Sequence, residues 1–112
     1  MTIIEASSLP AIHPGEILKE LYLDPLEMSA GALARKLNVP RTRIERIVTG
    51  RTGVTSDTAL RLARFFDTTP QLWMNLQVSY DLKIEGARNR AEIERIPVRD
   101  AALSANFPPL NG

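Results

Sequence analysis

Ser29-Ala-Gly-Ala-Leu-Ala-Arg-Lys-Leu-Asn-Val-Pro-Arg-Thr-Arg-Ile-Glu-Arg-Ile-Val-Thr-Gly50 reads as two short helices joined by a tight turn. Leu33, Ala34 and Leu37 recur at helical spacing, and Val39, Ile44, Ile47 and Val48 continue the apolar set beyond the turn. Ala34 falls where the two helices cross, and a small side chain there lets their backbones approach. Asn38 stands at the turn, where a left-handed backbone is wanted and Asn tolerates it. Pro40 lacks an N–H and presets φ, which suits the first position of the next helix. Gly50 is placed to end that helix. The pattern predicts a helix-turn-helix.

Charge gives the element its chemistry. Arg35, Lys36, Arg41, Arg43, Arg46 and Arg51 face Glu45 alone across residues 35–51, a local net of +5 in a chain whose overall charge is +1. Everything else in the chain is therefore acidic on balance, with a net of −4. A near-neutral protein that gathers its positive charge on one supersecondary element carries the electrostatic footprint of a nucleic-acid reader.

Outward from this stretch, the pattern predicts an all-α, five-helix domain. The first helix begins near His13-Pro14 and runs to about Leu23, with Ile17, Leu18 and Leu21 as its apolar face and Asp24-Pro25 as its stop. Ser29 caps the second helix, residues 30–37, and the third spans about 40–49. Thr55 or Ser56 caps a fourth that ends near Phe66, with Leu60, Ala63 and Phe66 facing inward. Thr69 caps the fifth and Pro70 opens it, and its end falls at Ile84 or Gly86. The expected organisation is a mobile arm over 1–12, a DNA-binding and dimerisation domain over 13–86, and a mostly extended or mobile tail over 87–112.

Composition narrows the functions. The chain has 112 residues, 44% of them hydrophobic, enough for one small core. It has no cysteine, so disulfides, thiolate nucleophiles and cysteine metal sites are excluded. No apolar run approaches the ~20 residues of a membrane span, and the first residues lack the basic start and apolar core of a signal peptide, so a cytoplasmic location is expected. His13, the single histidine, has no companions for a metal site and reads as a helix-start residue. Glu16/Glu20 and Glu92/Glu94 read as solvated charge, with no nucleophile or pocket signature beside them. Neither cofactor, metal nor catalysis is expected.

In a helix-turn-helix, the N-terminal part of the second helix enters the major groove. Thr42, Arg43 and Arg46 share the side opposite Ile44 and Ile47, which makes them the expected base contacts. Arginine clamps guanine O6 and N7 bidentately, and Thr meets a thymine methyl or a hydrogen-bonding edge. Arg41, Thr49, Arg51 and Thr52 are expected on phosphates, together with the free N–H groups near Ser29 and Ala30. The competing reading is a solvated basic face in which Glu45 pairs with Arg41.

The fifth helix carries a second signal. Leu72, Trp73, Met74, Leu76, Val78 and Tyr80 cover more of its circumference than one buried stripe requires. Leu72, Trp73, Leu76, Val78 and Tyr80 are thus expected at a homodimer interface, which suits two DNA half-sites ~34 Å apart. A central core helix in a monomer is the alternative.

His13-Pro14-Gly15-Glu16, Leu33-Ala34, Val48-Thr49-Gly50-Arg51, Thr58-Ala59-Leu60-Arg61-Leu62-Ala63 and Trp73-Met74-Asn75-Leu76-Gln77 together resemble the HigA-type antitoxins. These belong to the Xre/Cro-like helix-turn-helix superfamily, and the resemblance spans roughly residues 13–84. It implies a lambda-repressor-like fold and a dimeric antitoxin that represses its own operon at a palindromic operator. It also implies a partner toxin similar to the RelE/ParE-fold endoribonucleases that cleave mRNA on the ribosome. Arg41 and Arg43 flank Thr42 where many relatives carry small hydroxyl residues, so the operator sequence does not carry over. For the toxin, the arm and first helix (Ile3, Ile4, Leu9, Ile12, Leu18, Tyr22) offer one surface. The tail (Ile93, Ile96, Val98, Leu103, Phe107) offers another, with apolar residues suited to folding against a partner. A stand-alone repressor, and an interaction module that has lost DNA binding, remain as other classes.

Overall fold

A computed structural model describes residues 10–99. Among these residues all regular structure is helical: α1 (Pro14–Ile17), which continues as a π-helical turn (Leu18–Leu23), α2 (Ala30–Leu37), α3 (Arg41–Val48), α4 (Ser56–Phe66), α5 (Pro70–Arg88) and α6 (Arg90–Glu94). None of these helices is long and apolar enough to cross a membrane.

Local chemistry sets most of the boundaries. Ser29, Thr55 and Thr69 are extended N-caps whose hydroxyls accept from the N–H groups of Ala32, Thr58 and Leu72. His13 caps α1 through a ring nitrogen, Nδ1, which accepts from the Gly15 N–H at 2.9 Å. Asn38 ends α2 in the left-handed conformation with φ 58°, and Gly50, with φ 76°, follows α3. Pro40 stands one residue earlier than its expected place. It is the extended N-cap of α3, and its carbonyl accepts from the Arg43 N–H.

α2 packs chiefly on α3, and α4 on α5, while α1 touches both α3 and α5. The core between them holds Leu18, Leu23, Leu33, Ala34, Leu37, Ile44, Ile47, Val54, Ala59, Leu62, Ala63 and Trp73. Trp73 is the largest fully buried side chain, and its indole Nε1 donates to Thr68 Oγ1 at 2.9 Å. Tyr22 stacks obliquely on it with ring centroids 5.0 Å apart, and Phe66 lies beside both.

Several inward faces differ from expectation. Leu21 and Leu60 are exposed. The π-helical turn bonds i to i+5, as in Asp24 N–H to Lys19 O at 2.8 Å, so Leu23 shares the inward side with Leu18 and Leu21 is swung out. In α4, Ala59, Leu62 and Ala63 make the buried stripe, and Leu60 falls beside it. The stretch after Gly86 is not extended from its start: α5 runs to Arg88 and α6 follows, although no residue of α6 is buried.

Candidate nucleic-acid interface

Every residue of the expected interface falls on α2, α3 or the loop after α3. Thr42 and Arg46 are exposed, and neither side chain has a hydrogen bond or ion pair among the described residues. Arg41 pairs with Glu45 one turn along, which raises its pKa above the ordinary value, first through the hydrogen bond and then through the charge. That pair belongs to the solvated-face reading, but Arg41 also leans on α2. A Cβ on Gly31 would come 3.2 Å from Arg41 Cδ, so the arginine stem lies over the first turn of α2. Ser29, Ala30 and Arg41 are thereby gathered where an anion would meet helix N–H groups and a cation together.

Beyond α3 the groups are more committed. Thr49 Oγ1 donates to Glu45 O at 2.8 Å, and the N–H groups of Arg51 and Thr52 both donate to Arg46 O. Any phosphate contact from Arg51 or Thr52 therefore comes from the exposed side chains. The loop itself is tied to α5: Gln77 Oε1 accepts the Val54 N–H at 2.7 Å, and Gln77 Nε2 donates to Asp81 Oδ1. A Cβ on Gly53 would lie 2.7 Å from Gln77 Oε1, so a larger residue there would have to push the Gln77 amide off the loop. Sequence reading missed this role of Gln77, because a polar residue inside an apolar helix gives no sign of its partner 23 residues away.

Arg43 is the residue whose placement departs most from a free cation. Its Nη1 donates to Asp57 Oδ2 at 2.6 Å, and Arg61 Nε donates to the same oxygen at 3.0 Å. Those two guanidinium groups hold the Asp57 carboxyl below its ordinary pKa, the Arg43 bond contributing first. With two cations on one anion, the cluster keeps a net positive charge. Asp57 was not singled out from sequence, and Arg61 entered only as part of the stretch 58–63 that carries the family resemblance. Their i,i+4 spacing shows only a local helical pair, and nothing local joins either to Arg43.

Burial removes one residue from each of the two expected partner surfaces. Trp73 is 0% exposed and Leu18 is 1% exposed, so neither side chain can meet a dimer partner or a toxin. Tyr22 is half-buried in the aromatic cluster. Leu72 packs against the core, Leu76 and Tyr80 line a hollow with Pro10, Ile12 and Ile17, and Tyr80 meets His13 edge-on. Much of the apolar surplus on α5 thus covers the chain's own elements. Val78 remains exposed, joined one turn on by Leu82 at 69% exposure. Ile12, Ile93, Ile96 and Val98 are exposed as well, while Ile3, Ile4, Leu9, Leu103 and Phe107 lie outside the described residues.

A family model for the helix-turn-helix matches residues 18–73. Virulence-associated protein I of Dichelobacter nodosus is 54% identical over 78 residues, which cover 70% of this chain and 72% of that protein. The Pseudomonas aeruginosa antitoxin HigA, solved with higBA promoter, is 42% identical with a TM-score of 0.78, over 80% of this chain and 98% of that one. The chain belongs to the HigA-type antitoxin family of helix-turn-helix proteins. An addiction-module antidote protein of the HigA family from Coxiella burnetii is 43% identical with a TM-score of 0.77, over 82% of this chain and all of that one.

Proposed function

We propose that this chain is an antitoxin that represses its own operon by binding a palindromic operator as a homodimer, and that neutralises a cognate RelE/ParE-fold, ribosome-dependent mRNA-cleaving toxin. The observation that carries the DNA half is the open side of α3, where Thr42 and Arg46 stand exposed and unpaired beside Arg43. The promoter bound to the Pseudomonas aeruginosa HigA supports the same reading. Thr42, Arg43 and Arg46 read bases, while Ser29, Ala30, Arg41, Thr49, Arg51 and Thr52 hold phosphates. Residues 13–86 form the working unit for DNA and dimer contact. The work assigned is binding, with no catalytic step, and its place is the cytoplasm, where operator and toxin both are.

For the toxin, the arm is the proposed surface, entered at the exposed Ile12, and Leu18 plays no part in it. The apolar residues Ile93, Ile96 and Val98 are the second surface. The test is co-purification of the chain with the tagged product of its neighbouring reading frame, run also with Ile12→Asp and Ile96→Asp. A stable complex weakened by Ile12→Asp supports the reading. Weakening by Ile96→Asp alone moves the toxin to the tail. No complex, together with intact promoter binding, makes the chain a stand-alone repressor.

A further inference from the structure

The Arg43 guanidinium stands on the proposed base-reading side of α3, yet it is held from another element. Asp57, in the first turn of α4, takes it on Oδ2 at 2.6 Å. Asp57 is itself held: Arg61, one turn along α4, donates Nε to the same oxygen at 3.0 Å. The other end of Arg61 reaches the turn between α2 and α3, where Nη1 donates to Leu37 O at 2.8 Å and to Asn38 O at 3.3 Å. The chain of contacts runs from the turn, through Arg61 and Asp57, to Arg43. Each link is a charge-assisted hydrogen bond, the stronger kind.

We propose that Asp57 is a specificity-positioning residue, which fixes the Arg43 guanidinium for base recognition and is itself braced by Arg61 against the helix-turn-helix turn. This rests on the reading that Arg43 meets bases.

Three physical effects follow from one carboxylate. An arginine side chain has many rotamers, and ordering it in advance removes an entropy loss that would otherwise fall on the specific complex. The carboxylate also repels phosphates, which lowers affinity for DNA of any sequence. It further occupies one donor edge of Arg43, so that a guanine must meet the others in a set orientation. The repulsion weakens binding to any sequence, and the pre-ordering and the set orientation return affinity at the operator alone, so together they raise the ratio of operator to non-operator affinity, which decides occupancy in a genome. The brace by Arg61 matters because a carboxylate more than half exposed would otherwise swing away with its arginine.

Asp57→Asn keeps the shape and removes the charge. Binding to the chain's own promoter fragment and to a shuffled fragment is measured side by side, for the full chain, Asp57→Asn, Asp57→Glu, Arg43→Ala and the double variant Arg43→Ala/Asp57→Asn. The expected result is tighter binding of Asp57→Asn to shuffled DNA and an affinity ratio lowered about tenfold, the discrimination of one base contact. Asp57→Glu keeps the charge and most of the ratio. In the Arg43→Ala background, Asp57→Asn produces no further loss of discrimination, because the two act as one unit. A merely structural role would lower affinity for both fragments equally and leave the ratio intact, which overturns the proposal. An equal loss of ratio with and without Arg43 overturns it too. If Asp57→Asn keeps the ratio while Arg43→Ala loses it, Arg43 still reads bases and only the positioning role falls. If Arg43→Ala keeps it, the base-reading assignment falls and takes this inference with it.

Discussion

One carboxylate oxygen, Asp57 Oδ2, accepts from both Arg43 and Arg61. Thr42, Arg43 and Arg46 were legible because helical phase alone puts them opposite Ile44 and Ile47, and both isoleucines are indeed buried. The carboxylate that holds Arg43 lies 14 residues away on another helix, and only folding brings them together. Its depressed pKa has a consequence for stability. A carboxyl group whose folded pKa lies below its unfolded one adds stability above the unfolded value, and that stability is lost as pH falls through the folded one. Acid titration of folding should therefore show a shallower loss below about pH 4 in Asp57→Asn than in the parent chain. The difference is small, because the pair is exposed and screened. Superimposable acid limbs would show that neither arginine holds Asp57 in solution.

Elements were legible where a cap or a period is local. The hydroxyl caps of α2, α4 and α5 and the left-handed Asn38 stand where residue type alone puts them. The inward faces of α1 and α4 were read less well. A π-helical turn shifts the phase after Ile17, and no sequence signal announces it. Gly15 is a further case. It sits in α1 against the end of α3, where a Cβ would lie 1.8 Å from Ile47 O, a position no methyl group can take without moving a helix. Gly15→Ala should cost ~1–3 kcal/mol by overpacking and lower the urea midpoint at unchanged slope. An unchanged midpoint would contradict the close approach of α1 to α3.

At the scale of the whole molecule, most of the apolar excess of α5 is taken up by the chain's own elements. Trp73 goes to the core, and Leu76 and Tyr80 cover the hollow beside Ile12 and Ile17. Val78 and Leu82 are what α5 leaves outside, and they are the face we assign to the dimer. Val78→Asp/Leu82→Asp should give a folded monomer by light scattering, with little change in melting temperature and weaker binding to a palindromic promoter than the parent dimer shows. A dimer that survives both changes would place the interface elsewhere, such as the exposed face of α6.

The account rests on α3 as the reader of operator sequence, and the direct measurement is a titration of promoter and shuffled fragments at several salt concentrations, for the parent chain and Arg46→Ala. The parent should prefer the promoter, with affinity for both fragments falling steeply as salt rises. Arg46→Ala should lose ~1–3 kcal/mol on the promoter and part of the preference. Equal affinity of the parent chain for both fragments, or an Arg46→Ala variant that binds the promoter unchanged, would contradict the account.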